Sequence, residues 1–487
     1  MSAHNSIGIK GAAAIQFAAK YSTLFVQVII TAILARLLTP GEFGAVAIIT
    51  VFIAFFTMIS DVGIGTAVIQ FDTLDENDYR GLFSFSFILG FVLMGLFCLL
   101  SNPLAYFYQD ESIGVLCLAA SPSLLFSSLN MVPNGLMLKR KLFLSVGVRL
   151  IVVTVISGLI GIISAFIGLG PYALILQSVS SSLFIFLWNF IRMPGKGWNI
   201  HFGSALKKVY SYSLFQFGFS LINYFNRSLA NLLIGRFLGT EALGYYDKAY
   251  KLTTYPLSSL SGVISSVLQP FMAEYQNMEE VMFRYFIRIE RFVSLVGVPI
   301  VALLFCCSNE IIVIVYGDNW IESVAPFQFL VLSLYIQFLG NPTGAFYQSL
   351  GRTDLLFQQG VINSLIMIAG LVTGLMLGSV SSVALGVSIA FIAQAIPMIH
   401  LMVKVAFHEK IGCLIQFFPE IIIGFVAILA ASFAGQAVPY DSVFLCFAIK
   451  SIVVGVVIAL CYWKKGLFGV IRKCLKGGVR NEDQRAC

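Results

Sequence analysis

Charge is what this chain has least of. Only 11% of its 487 residues are Asp, Glu, Lys or Arg, while 59% are hydrophobic, and soluble domains carry roughly a quarter charged residues. That balance excludes a soluble globular enzyme. Histidine is nearly absent, and none of the four, His4, His201, His400 and His408, falls clearly at mid-membrane in the spans read below. This counts against a His-based membrane acyltransferase. The nine cysteines are scattered, with no C-x-x-C and one vicinal pair, Cys306-Cys307. They read as small apolar packing residues, and neither a disulfide framework nor a metal site is implied. No G-x-x-x-x-G-K-[ST] phosphate loop occurs, so ATP hydrolysis by this chain is excluded and no cofactor is expected. No filter or ring motif of a channel stands out either.

What is plentiful is long apolar runs. Reading for spans near twenty apolar residues yields about fourteen transmembrane helices, centred near residues 22, 56, 92, 123, 156, 181, 222, 257, 299, 335, 367, 391, 425 and 452. Asp247, Lys248 and Lys251 crowd the start of the one at 257. The fold class expected is an all-α polytopic membrane protein. Charge placement tests this independently. With the N-terminus cytoplasmic, the cationic clusters Lys139-Arg140-Lys141, Arg192 to Lys208, Arg284 to Arg291 and Lys464 to Arg485 fall in alternate loops, and only Arg36 and Arg236 fall outside. The positive-inside rule is satisfied. The net charge of +7 is therefore a topology signal toward an anionic leaflet, and no nucleic-acid partner is read in it. One lysine, Lys10, precedes the first span, which is too long for a signal h-region, so a cleavable signal is not expected.

Within the first span, Gln16, Lys20, Thr23, Gln27 and Thr31 are spaced to share one helix face. Two hundred positions later Gln216, Ser220, Asn223, Arg227 and Asn231 repeat the stripe, and Arg36, Leu38 and Gly44 return as Arg236, Leu238 and Gly244. This reads as an internal duplication. Six crossings return the chain to its starting side, so the copies are parallel repeats whose stripes would line a central cleft. The expected organisation is an N-terminal lobe over 1–195, a C-terminal lobe over 196–404, two added spans over 405–463 and a basic cytoplasmic tail over 464–487. The stretch FMAEYQNMEEVMFRYFIRIER is read as an amphipathic surface helix.

Candidate functional groups are the intramembrane polar ones. Lys20 and Asp61 lie at similar depths, roughly 15 Å from the cytoplasmic ends of neighbouring spans, and an ion pair would make both burials tolerable. That pair reads either as a structural bridge or as one broken during transport. In the eighth span Asp247 precedes Lys251 by one turn, the favourable order for an intrahelical pair, at the head of a hydroxyl stripe of Thr254, Ser258, Ser261 and Ser265. Arg227 lies on the second stripe, whereas Arg149 and Lys450 are each close enough to a surface to snorkel. Pro122, Pro256, Pro299, Pro342 and Pro397 within spans fit kinked helices. Glu310, Asp318 and Glu322 are dispersed over an outer loop and read as solvent-facing, which argues against an embedded glycan polymerase or ligase.

The stretches ARLLTPGEFG, SDVGIGTAVIQ, LGTEALGYYDKAYKLTTYP, LQPFMAEYQ and NPTGAFYQSLGRTD together resemble the polysaccharide transport family of the MOP (MATE-like) superfamily. The branch it is similar to exports lipid-linked repeat units of colanic acid, teichuronic acid and O-antigen type glycans. That resemblance implies a two-lobed flippase in the cytoplasmic (inner) membrane, both termini cytoplasmic. It would turn an undecaprenyl-diphosphate-linked oligosaccharide to the outer leaflet by alternating access, amid membrane lipids and glycan polymerase or assembly machinery. It offers no catalytic signature. From the residues, the headgroup contacts expected are Lys20 and Arg227, with Lys251 and Arg149 secondary and Gln16, Thr23, Gln27, Gln216, Asn223 and Asn231 as the polar lining. Asp61 and Asp247 are the carboxylates expected to couple to an ion. A cation- or proton-coupled small-molecule exporter, an embedded polymerase or ligase and an assembly scaffold remain the alternatives.

Overall fold

The computed structural model describes residues 9–61, 64–71, 74–193, 199, 224, 228–273, 278–410, 412, 417–436 and 442–469. Every regular element among them is a helix. Twelve candidate spans are long and apolar enough to cross a membrane, and each contains one of the span centres read from the sequence. The two centres without a counterpart have separate reasons. The span at 222 lies almost wholly outside the described residues, and the one at 257 belongs to a continuous helix, Gly239–Ala273, too polar to qualify.

The chain divides into two compact units, Met1–Gly244 and Tyr245–Cys487. The first holds α1 (Ile9–Leu37), α2 (Pro40–Asp61), α3 (Ile64–Gln70), α4 (Glu76–Leu99), α5 (Ser101–Tyr108), α6 (Glu111–Ala120), α7 (Pro122–Leu129), α8 (Met131–Lys139), α9 (Phe143–Phe166), α10 (Tyr172–Ile191) and α11 (228–237). Several spans are broken, and the breaks have local causes. Pro122, which has no N–H to donate, starts α7 after the turn at Ser121. Thr39 and Glu42 close a reciprocal cap at the head of α2: the Thr39 N–H donates to Glu42 Oε2 at 2.7 Å and the Glu42 N–H to Thr39 Oγ1 at 3.3 Å. Small residues let helices approach closely. On α9, Gly147 faces Ala19 and Gly158 faces Ile30, both of α1.

The segments whose sequences read as a repeat share their helix punctuation. Leu38 N–H donates to Leu34 O at 2.9 Å, and its equivalent Leu238 donates to Ile234 O at 2.8 Å. Helix α1 ends at Leu37 and α11 at 237, and the following helices restart at Pro40 and Gly239. Equivalent glycines then meet reciprocally. A Cβ on Gly44 would strike the Thr240 carbonyl, and one on Gly244 the Pro40 carbonyl, residues 40 and 240 being themselves equivalent.

The second unit continues α12 (Gly239–Ala273) and adds α13 (Glu279–Cys306), α14 (Ser308–Val315), a 3-10 turn (Asp318–Ser323), α15 (Val324–Gly340), α16 (Thr343–Ser349), α17 (Thr353–Met376), α18 (Val380–Ala393), α19 (Ala395–Ile399), a π-helical turn (His400–Ala406), α20 (Phe418–Gln436) and α21 (Val443–Lys464). Helices α20 and α21 pack on α13 through Leu295, Ala302, Ile423, Ala427, Val454 and Ile458. The Tyr462 hydroxyl donates to Leu295 O at 2.9 Å. The stretch expected to be a separate surface helix is corrected here. Residues 271–273 end α12, and from Glu279 the chain is the start of α13, which runs unbroken into its span. Its apolar face is covered, with Met282 and Phe286 packed among Phe346, Tyr347 and Phe407.

Candidate functional site: polar stripes and buried charges

The α1 stripe is placed residue by residue. Gln16 is half-buried and its Nε2 donates to the Phe143 carbonyl at 3.1 Å, joining α1 to the start of α9. Lys20 is exposed. Thr23 and Gln27 are half-buried, with Thr23 Oγ1 lacking a hydrogen-bond partner among the described residues and Gln27 Nε2 lying 3.4 Å from Thr31 Oγ1. Phe17, Phe25 and Ile29 are exposed, as expected for groups that meet lipid. Asp61 ends α2, but its side chain lies outside the described residues, and so does the expected pair with Lys20. Gln216, Asn223 and Arg227 lie outside them as well, while Asn231 is half-buried on α11.

Arg149 is drawn inside the first unit. Only 5% exposed, it donates through Nη1 to Asn189 Oδ1 at 2.7 Å and Asn134 Oδ1 at 3.0 Å. Asn189 Nδ2 in turn donates to Asn130 Oδ1 at 2.8 Å. Among the described residues no carboxylate pairs with Arg149, and its Nε, also buried, has no partner. Two neutral amides, Asn134 of α8 and Asn189 of α10, therefore hold the cation by charge-assisted hydrogen bonds, and Asn130 at the α7–α8 junction accepts from Asn189 behind them. Asn130 and Asn134, one turn apart in NMVPN, and Asn189 in LWNFIR were the sequence signal for this network.

In the second unit the expected Asp247–Lys251 pair forms at 2.7 Å, with the Asp247 side chain 8% exposed and that of Lys251 48%. Lys248, between them, is buried beside Tyr316 and Trp320, its Nζ 5.8 and 6.0 Å from the ring centres. Two expectations fail here. Glu310 is not solvent-facing but 4% exposed, and Lys450 does not snorkel. Lys450 Nζ lies 2.5 Å from Glu310 Oε1 and donates to the Cys306 carbonyl at 3.2 Å, a bridge from α21 to the start of α14. Asp318 and Glu322 are exposed as expected. Two further acids were missed, Glu290 and Glu420, 4% and 1% exposed. Glu290 was hidden among the cations of FIRIER, and Glu420 follows a proline at the head of its helix. At the loop before α17, Arg352 makes a two-point contact with Asp354, 3.1 and 3.2 Å, which pushes the exposed Arg352 guanidinium above the usual arginine range. Among the described residues no group of three or more His, Cys, Asp or Glu could hold a metal ion.

The profile of the family described as polysaccharide biosynthesis protein matches residues 33–325. Among curated proteins, the chain is 26% identical over 337 residues to the teichuronic acid biosynthesis protein TuaB of Bacillus subtilis (strain 168), covering 68% of this chain and 69% of that one. It is 25% identical over 403 residues to the lipopolysaccharide biosynthesis protein WzxC of Escherichia coli (strain K12), covering 79% and 80%. Among solved structures, an inward closed conformation of the lipid II flippase MurJ superposes with a TM-score of 0.73 at 16% identity, covering 93% of this chain and 100% of that one. That likeness establishes the fold.

Proposed function

Because this chain belongs to the polysaccharide biosynthesis protein family, we propose that it is a flippase for a polyprenyl-diphosphate-linked oligosaccharide or polysaccharide repeat unit. It acts by alternating access and makes or breaks no covalent bond. The family match is the observation that carries this reading, and the fold shared with a lipid II flippase supports it. It works in the cytoplasmic (inner) membrane with both termini cytoplasmic, as the alternation of cationic loops indicates. In the same proposal residues 1–195 and 196–404 are the duplicated lobes, 405–463 the two added spans and 464–487 the basic tail.

A diphosphate-sugar headgroup is anionic and rich in hydroxyls. It needs a few cations among many small hydrogen-bonding groups, and the polyprenyl tail can stay in lipid. Lys20 and Arg227 meet the diphosphate, and Gln16, Thr23, Gln27, Gln216, Asn223 and Asn231 meet hydroxyls. Lys251 and Arg149 are secondary. Lys251 is reached when its bridge to Asp247 is released, and Arg149 when the asparagine enclosure opens. Asp61, in the second span, and Asp247, at the head of the hydroxyl stripe, are the carboxylates that answer to an ion. Glycan polymerase or other assembly machinery would act on the delivered product. The test is in the host. Loss of the protein should leave lipid-linked repeat units accumulated with their glycan inaccessible to a periodate reagent added outside. Accumulation of units already accessible would indicate a polymerase or ligase and overturn the reading.

A further inference from the structure

Glu290 belongs to none of the polar stripes, yet it is an acid only 4% exposed. It lies on α13 with one carboxyl oxygen, Oε1, buried and without a hydrogen-bond partner among the described residues. It lines a cavity of 170 Å³ whose other walls are apolar, among them Phe286, Leu339, Met398 and Met402, except for the Tyr335 hydroxyl of α15. That hydroxyl already shares a hydrogen bond of 2.9 Å with Ser294 Oγ, one turn beyond Glu290 on α13. Among the described residues no salt bridge reaches Glu290. Arg291, the next residue, is turned to Glu420 of α20, at 3.9 Å. Tyr462 of α21 is engaged with the Leu295 carbonyl. Arg288 is half-buried a half-turn earlier, and His400 and Lys404 of the π-helical turn are exposed.

A bare carboxylate in such surroundings is strongly disfavoured. It requires a proton or a bound cation. A sodium or calcium ion needs about six oxygens, and this wall offers one carboxyl and one hydroxyl. A proton needs a single oxygen. We propose that Glu290 is a proton-binding site in the second unit, whose carboxyl takes up and releases a proton as the cavity beside α13, α15 and α19 opens to water. Its use in driving glycan translocation rests on the flippase reading, while the proton site itself does not.

Two measurements test this. The whole protein in liposomes is treated with dicyclohexylcarbodiimide, an apolar reagent for protonated buried carboxyls, and the adducts are mapped by mass spectrometry. Glu290 should be modified at neutral pH, several-fold less at alkaline pH, and without protection by Na+, whereas Glu310, held by Lys450, should not react. Absence of a Glu290 adduct at every pH, or protection by Na+ at constant pH, overturns the proton site whatever the cargo. Flipping of a fluorescent lipid-linked oligosaccharide is then followed with and without an imposed proton gradient. The gradient should accelerate the unmodified protein and Glu290→Asp but leave the rate of Glu290→Gln unchanged. Acceleration of Glu290→Gln to the unmodified extent overturns the coupling role. Failure of the unmodified protein to flip at all strikes the flippase reading instead, and the carbodiimide result stands apart from it.

Discussion

Replacing Lys450 by methionine removes a cation that answers a buried acid and keeps most of the side-chain volume. In the native protein the ammonium lies 2.5 Å from Glu310 Oε1 and also donates to the Cys306 carbonyl. The two side chains are 18% and 6% exposed. Gly435 of α20 lies against the lysine stem, so this one residue ties α21 to α14 and α20. Taking away one member of a buried pair costs about 3–5 kcal/mol, because the other charge is left uncompensated. For a unit of this size, about 2–4 °C of melting midpoint per kcal/mol converts that cost to a fall of roughly 6–20 °C. Glu310→Gln should cost less, about 1–3 kcal/mol, since an amide oxygen and the Cys306 carbonyl can still accept from the ammonium. The double variant Lys450→Met with Glu310→Leu should recover most of the loss, because apolar groups of similar volume often replace a buried pair at little cost. Thermal melting of purified protein in one detergent, read by size-exclusion chromatography, measures all of these. A Lys450→Met midpoint within a degree or two of the unmodified one, or a double variant as unstable as the two losses summed, would refute the reasoning.

Asn189→Leu should destabilise the first unit by about 2–4 kcal/mol, since Arg149 keeps its charge but loses its shortest acceptor; Arg149→Met with Asn189→Leu should be milder, and the same melting assay decides. Gly44→Val should lower the midpoint by the equivalent of about 1–3 kcal/mol through overpacking against the Thr240 carbonyl. Gly95→Ala, where a Cβ meets nothing within 4 Å, should leave it unchanged or slightly raised. A reporter fused after Lys141 or Arg291 should signal cytoplasm and one at Asp318 the outside, and a cytoplasmic signal at Asp318 would break the alternation of the spans.

Which helices cross the membrane was legible because hydropathy over twenty residues is a local property. All twelve candidate spans coincide with runs visible in the sequence. The Asp247–Lys251 bridge was legible for the same reason, being one helical turn long. Breaks within spans were harder. Pro122 marked one, but α7 also ends at Leu129, before a turn at Asn130 whose side-chain amide oxygen accepts from the remote Asn189. Buried charges were the least legible, because their partners are remote in sequence. Glu310 reads as an outer-loop acid until Lys450, 140 positions away, is folded onto it. Glu290 reads as a member of a cytoplasmic cluster until α13 turns its face to the cavity. Local context assigns a charge to the nearest water, and tertiary packing overrules it. The reciprocal approach of Gly44 and Gly244 is the converse case, in which spacing alone had already paired the two positions.

The central claim, that this chain flips a diphosphate-linked glycan, is tested most directly with the purified protein in liposomes. Three fluorescent cargoes are compared: an oligosaccharide on a polyprenyl diphosphate, the same oligosaccharide on a neutral lipid, and a small amphipathic cation. A membrane-impermeant quencher then reads the fraction of each left in the inner leaflet. The diphosphate-linked glycan should equilibrate between leaflets far faster than in protein-free liposomes, with its chain length unchanged, and the other two should not. Export of the small cation with no acceleration of the diphosphate-linked glycan would contradict the account.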